Sequence, residues 1–148
     1  MHNSQEPSPK VVLGFDFGMK YIGIAVGQSM LGVASPLATL RAKDGIPTWD
    51  EITQLIEKWR PQALIVGIPL NMDDTEQLLT LCARRFSNRL RTRYQLPLYE
   101  VDERLSSWEA KQRTAFSSDK NGKQKNKLHA HSAVVLIEQW WREQNLKF

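Results

Sequence analysis

Asp16 stands near the end of an apolar run, Val11–Phe17 (VVLGFDF), and Asp102 and Glu103 follow a second run at 96–101 (LPLYEV). A carboxylate at the end of an otherwise apolar strand requires a partner, because burying an unpaired ion costs several kcal/mol. A basic side chain is one solution, and Lys20 or Arg104 would serve Asp16 as a structural ion pair. A bound cation is the other. If the two strands are parallel neighbours, their carboxylates converge on one sheet edge, where α/β folds place ligands. Carboxylates gathered there repel one another unless divalent cations lie between them, and oxygen donors favour hard ions such as Mg2+ or Mn2+. A pair of such ions about 3.5–4 Å apart can activate a water and stabilise the leaving oxygen in phosphodiester cleavage. The residues alone leave both the ion pair and the metal open.

Other polar groups fall where a phosphate could use them. Asn71 and Thr75, in IPLNMDDTEQ, precede a helical pattern whose N-terminus offers free N–H groups. Asp73 and Asp74 in the same block suit plain helix capping equally well. His129 and His131 are spaced i and i+2, so they do not share a helix face. The net charge is only +4, but its distribution is uneven. Arg84, Arg85, Arg89, Arg91 and Arg93 crowd one segment without an intervening acid, and Lys120, Lys123, Lys125 and Lys127 crowd another. Such clustering suggests a polyanionic partner, with nucleic acid the foremost candidate and a solubilising face the alternative.

These groups need a scaffold, and 148 residues fit a single domain. A hydrophobic fraction of 41% and a charged fraction of 24% are those of a globular protein that can build its core without staples. The single Cys82 excludes an internal disulfide and suits a reducing cytoplasm. No apolar stretch reaches the roughly 18 residues of a membrane helix. Residues 1–10 read as a disordered lead-in and 11–148 as the domain.

Within the domain, Val11–Phe17 and Tyr21–Gly27 read as a hairpin, and Gly32–Leu40 as a third strand. Thr48 and Glu51 form a capping-box pattern before a helix ended by Pro61. Ala63–Ile68 (ALIVGI) reads as a central parallel strand covered on both faces. A long helix from Thr75 to about Tyr94, a strand at Leu96–Val101 and a short helix opened by Ser106 and Glu109 follow. Residues 117–127 (SSDKNGKQKNK) read as a basic loop, and Leu128 to about Glu143 as the closing helix. The tryptophans at helical spacing, Trp49, Trp59, Trp140 and Trp141, are expected in packing rather than base stacking. A strand meander followed by alternating helices and strands argues a mixed α/β sheet with helices on both faces.

Four blocks, GFDFGMKYIGIAVGQ, VGIPLNMDDTEQ, VDERLSSWEA and KLHAHSAVVLIEQWW, carry a resemblance. In order and spacing they are similar to the YqgF/RuvX family, from Val11 to Trp141. That resemblance implies an RNase H-like fold with a five-stranded mixed sheet. Members were first described as candidate Holliday junction resolvases and are now generally assigned as nucleases maturing the 5′ end of 16S ribosomal RNA precursors in bacteria. The implied activity is a hydrolase using Mg2+ or Mn2+ on RNA (pre-16S rRNA). Branched DNA is the alternative substrate, and a non-catalytic rRNA-binding factor the alternative role; the choice between monomer and homodimer stays open. The aspartate-x-glycine hairpin also resembles that of actin-like ATPases. Those clasp nucleotide between two such lobes, and this chain has length for one.

Carried over residue by residue, Asp16 matches the family's first-strand aspartate and leading metal ligand. Asp102 and Glu103 match its acidic pair, of which strand alternation admits only one to the site. Glu103 is expected as the second metal ligand, with Asp102 capping the following turn or pairing with Arg104, which could instead clamp a phosphate. The chain departs from the pattern at the closing helix. His129 stands where relatives have an aspartate, in the setting Lys127, Leu128, His129, Ala130 and Ala133. An imidazole can bind metal or move a proton but suits Mg2+ less well than a carboxylate. A working site with His129 as ligand or acid/base is the expectation, ahead of a Mn2+-preferring or inactive one.

Overall fold

Ala63–Ile68 is buried at every position and runs through the middle of the sheet. The computed structural model describes residues 8–70, 77–103 and 123–145, with side chains in the last segment described from 128 onward. Among the described residues there are six strands: β1 (Val11–Asp16), β2 (Tyr21–Gln28), β3 (Val33–Lys43), β4 (Ile46–Pro47), β5 (Ala63–Ile68) and β6 (Leu98–Asp102). The helices among the described residues are α1 (Trp49–Trp59), α2 (Leu78–Tyr94) and α3 (Lys123–Asn145). The sheet order is β4-β3-β2-β1-β5-β6. β1–β4 form an antiparallel meander, and β5 and β6 add to it in parallel with β1.

Two expectations about the sheet need correction. It has six strands rather than five, because Ile46 and Pro47 pair with Lys43 and Ala42 to make a two-residue edge strand. The strands bearing Asp16 and Asp102 are also not neighbours, since β5 lies between them. An all-buried strand has to be central, so ALIVGI takes the interior position and pushes β6 to the edge.

Side-chain alternation divides the core into two layers. Leu13, Phe15 and Phe17 pack with Ile22, Ile24, Leu64 and Val66 against Ile52 of α1 and Ala83, Phe86 and Leu90 of α2. Val12, Ala25, Ala63, Ile65 and Val101 face the other way, against Ala133, Val134, Leu136, Ile137 and Trp140 of α3. Trp49 stacks on Phe86 at 5.8 Å and Trp140 is 5% exposed, so these rings belong to packing as expected.

Helix ends differ from their sequence signals. Thr48 is the N-cap of α1 without a side-chain cap; its carbonyl accepts instead from the Glu51 N–H at 3.0 Å. α3 begins at Lys123, so 123–127, read as loop, is helical. Lys and Gln are good helix formers, and nothing between Gly122 and the apolar periodicity breaks the turn. The short helix expected from Ser106 falls outside the described residues.

The cap of α2 was not foreseen. The Gln77 side chain accepts from the Thr80 backbone, and the Gln77 N–H donates to Thr80 Oγ1 at 3.1 Å. The fully buried Thr80 hydroxyl then donates to the carbonyl of Pro69, tying the end of β5 to the start of α2. Thr80→Val keeps the shape but removes both bonds. It should cost about 1–3 kcal/mol, the penalty for leaving buried polar groups unsatisfied. Chemical denaturation would register this as a lower midpoint, and an unchanged midpoint would refute the role assigned to this hydroxyl.

Candidate active site

The carboxyl ends of β1, β5 and β6 point the same way, and α3 crosses above them on one face of the sheet. Asp16, the last residue of β1, pairs with Gly23 of β2. Gly23 fixes where the helix can lie. A Cβ built on it would sit 2.0 Å from the carbonyl oxygen of His129 and 2.7 Å from the Ala130 nitrogen. Only a glycine allows the backbone of α3 to approach this closely, and a glycine within a strand is a usual mark of such contact. The consequence is that His129 comes down beside Asp16.

His129 Nδ1 lies 3.6 Å from Asp16 Oδ2, with the two side chains 30% and 17% exposed. The contact has the strength of an ion pair only when the imidazole is protonated. Tyr21, at the start of β2, stacks on the His129 ring with centroids 5.6 Å apart and planes inclined by 28°. The ring is therefore held from one side by an aromatic face and from another by a carboxylate.

Glu103 reaches the same layer from β6. The register pairs Phe15 with Val66 and Gly67 with Val101, so Gly67 follows the row that Asp16 continues. Glu103 Oε2 is buried and would lie 2.8 Å from a Cβ on Gly67. The missing side chain is thus the recess that receives the carboxylate. Alternation along β6 places Val101 and Glu103 on the α3 side and Asp102 on the other. Asp102 contributes its backbone carbonyl, which accepts from Gln139 Nε2 of α3 at 3.1 Å.

The structure therefore places Asp16 beside His129 on one side of β5 and Glu103 on the other, all on the same face of the sheet. Adjacent strands lie about 4.8 Å apart. Among the described residues no three His, Cys, Asp or Glu side chains stand close enough together to form a ready metal cage. The donor set nonetheless fits a hard divalent cation, being two carboxylates and an imidazole on one layer, with Glu103 seated in a recess. Lys20 is exposed, and the ion-pair partner that Asp16 meets among the described residues is His129, not Lys20. Asn71, Thr75, Arg104 and Lys120 lie outside the described residues. Lys123, Lys125 and Lys127 occupy the opening of α3.

Sequence reasoning missed Tyr21, Gly23 and Gly67. The glycines had a readable signal, as each interrupts an apolar β-run (YIGIAV, LIVGI) where only close approach accounts for a missing side chain. Tyr21 had none, because its partner is far away in sequence.

Comparison with known proteins gives a consistent picture. A family model described as "RuvX: Holliday junction resolvase" matches residues 10–143. A protein of Nitrosococcus oceani is 50% identical over 136 residues, covering 92% of this chain and 89% of its own. One of Proteus mirabilis is 45% identical over 137 residues, covering 93% and 99%. Both carry the name "Putative pre-16S rRNA nuclease". Among solved structures, T. thermophilus RuvC in complex with a Holliday junction substrate aligns with a TM-score of 0.60 over 93% of this chain and 96% of that one. At 14% identity, that likeness establishes the RNase H-like fold and nothing finer.

Proposed function

The chain belongs to the RuvX family, and from that membership we propose that it is a nuclease hydrolysing phosphodiester bonds in the 5′-end maturation of 16S pre-rRNA, dependent on Mg2+ or Mn2+. The observation that carries the reading is the placing of Asp16, Glu103 and His129 on one layer at the carboxyl edge of the parallel strands. Asp16 and Glu103 are the residues that would hold the cation, whose contribution when bound is to activate water and to stabilise the leaving oxygen.

The chain's own residues do the rest. Asp16 supplies a hard oxygen donor and keeps the imidazole of His129 oriented through Nδ1, so that the other ring nitrogen can take or deliver a proton. Tyr21 stacks against one face of that ring and limits its rotation. Asp102 belongs to the support of the site rather than to its donor set, since β6 turns it to the other layer. Asn71, Thr75, Arg104, Lys20, Lys120, Lys123, Lys125 and Lys127 are assigned to holding the nucleic-acid backbone. The relatives' printed name supports RNA as substrate, and a cytoplasmic location accords with it. No helix among the described residues is long and apolar enough to cross a membrane.

The test is cleavage of a precursor 16S transcript and of a four-way DNA junction, each with Mg2+ and with Mn2+. The account expects metal-dependent shortening of the transcript. Cutting of the junction alone would transfer the function to a DNA resolvase, the activity of the RuvC neighbour's printed substrate. Cleavage of neither, with RNA still bound, would leave a non-catalytic rRNA-binding factor.

His129→Asp provides a separate check. It supplies a third oxygen donor at the position where the family resemblance implies an aspartate, so Mg2+-dependent cleavage should be retained or raised. Two adjacent carboxylates would also repel in the absence of cation, so the variant's melting temperature should rise more on adding Mg2+ than the wild type's. Complete loss of cleavage in a folded variant would show that the imidazole does what no carboxylate can.

A further inference from the structure

The outer face of α2 is basic, and it lies on the side of the sheet away from Asp16 and Glu103, because α2 packs on the layer of Leu13 and Phe15 whereas the carboxylates face α3. Arg85, Arg89 and Arg93 follow one another at i, i+4 and i+8, and all are exposed. Like charges at this spacing weaken a helix, and α2 contains no acid at all to offset them. Several of its arginines have internal work: Arg84 meets Glu100 at 3.5 Å, Arg91 donates to Asn88, and Arg93 lies 4.2 Å over the Trp49 ring. Arg85 and Arg89 do not, since among the described residues neither meets a carboxylate. Beside them Asn88, Arg89, Thr92 and Arg93 line an open depression of about 360 Å³, whose edges offer amide, hydroxyl and guanidinium donors.

We infer that this row, centred on Arg85 and Arg89, is a second nucleic-acid contact: a track for the phosphate backbone of single-stranded RNA on the face opposite the candidate active site. The choice of RNA rests on the proposed function, and the surface itself on charge and exposure. A pattern that is unfavourable within the free helix finds its compensation in a polyanion, as the phosphate backbone is for arginine. The neighbouring α1 favours a narrow ligand over a broad one. It exposes Asp50, Glu51 and Glu57 against Lys58, which would repel phosphates spreading beyond α2. A strand held at α2 therefore rounds the sheet to reach the carboxylates, so that long substrates engage both faces and short ones only the site.

The experiment compares the full chain with R85A/R89A, titrating labelled single-stranded polyuridine across a salt series. Loss of two phosphate contacts should flatten the slope of log affinity against log salt by about 1.4, from about 0.7 per contact on single strands. Cleavage of a short oligonucleotide, too small to span both faces, should be unchanged, and the thermal melt should hold or rise as the like-charge repulsion within α2 is relieved. R85E/R89E should weaken binding further. An unchanged slope in both variants overturns the inference and leaves the active-site reading standing, and it is the result expected if α2 instead serves an acidic protein. The expected slope change in a chain that cleaves nothing keeps the inference and sinks the catalytic reading. No affinity for RNA in the wild type defeats both.

Discussion

Asp16→Ala is expected to lower metal-dependent cleavage by at least about 100-fold while leaving the fold intact. Asp16 is the carboxylate that β1 delivers to the layer beneath α3, and in the proposed site it is shared between the cation and His129. Lewis-acid stabilisation of a phosphoryl oxygen is worth several kcal/mol, and each 1.36 kcal/mol is tenfold in rate, so losing the leading ligand should cost about two orders of magnitude or more. Stability should hold or rise, because Asp16 is a largely buried carboxylate, 17% exposed, whose contact with His129 is ionic only when the imidazole is protonated. Single-turnover cleavage beside a thermal melt reads both quantities. Equal activity in wild type and variant would mean that the cleavage comes from a contaminant, and the site would lose its defining residue.

Gly23→Ala should have the second largest effect, and here stability and activity should fall together. The added methyl meets the His129 carbonyl oxygen at 2.0 Å and its carbonyl carbon at 2.2 Å, both backbone atoms with no rotamer to change. Ordinary contact begins at 3.4–4 Å, so α3 must retreat by more than about 1 Å at the point where it carries His129. Overpacking of this kind costs about 1–3 kcal/mol, and a displacement of about 1 Å at a catalytic group can cost about 100-fold in rate. Denaturation and cleavage measured on the same preparation would decide the matter. A variant with native stability and native turnover would show that α3 does not rest on β2 as described.

The two variants separate what the sequence discloses from what only the fold can supply. Asp16 was legible because a carboxylate inside VVLGFDF conflicts with its surroundings, and such conflicts concentrate at functional sites. That Asp102 and Glu103 face opposite layers was legible because strand period is two, and the recess at Gly67 lies on the side of Glu103. β5 was recognisable as a central strand from its continuous apolar run, yet its insertion between β1 and β6 was not drawn from that observation. The pairing of Tyr21 with His129 joins the second strand to the last helix, and no local pattern encodes it. Helix boundaries were the least readable. Composition suggested a loop at 123–127, where the apolar stripe of α3 extends its helix into a polar, Lys-rich segment of adequate intrinsic propensity. Capping shows the same limit: Thr48 has the right residue type and does not cap with its side chain, whereas Gln77 and Thr80 form a reciprocal cap that is less common.

All of this depends on Asp16 and Glu103 serving one cation across the width of β5. A crystal structure of the full chain soaked in Mn2+, read by anomalous scattering, tests it most directly. The account predicts a manganese peak above Gly67, with an oxygen from Asp16 and one from Glu103 each within roughly 2.0–2.6 Å, the range of oxygen ligands to hard divalent ions. Manganese bound to only one of the two carboxylates, or absent from that layer while cleavage persists, would contradict it.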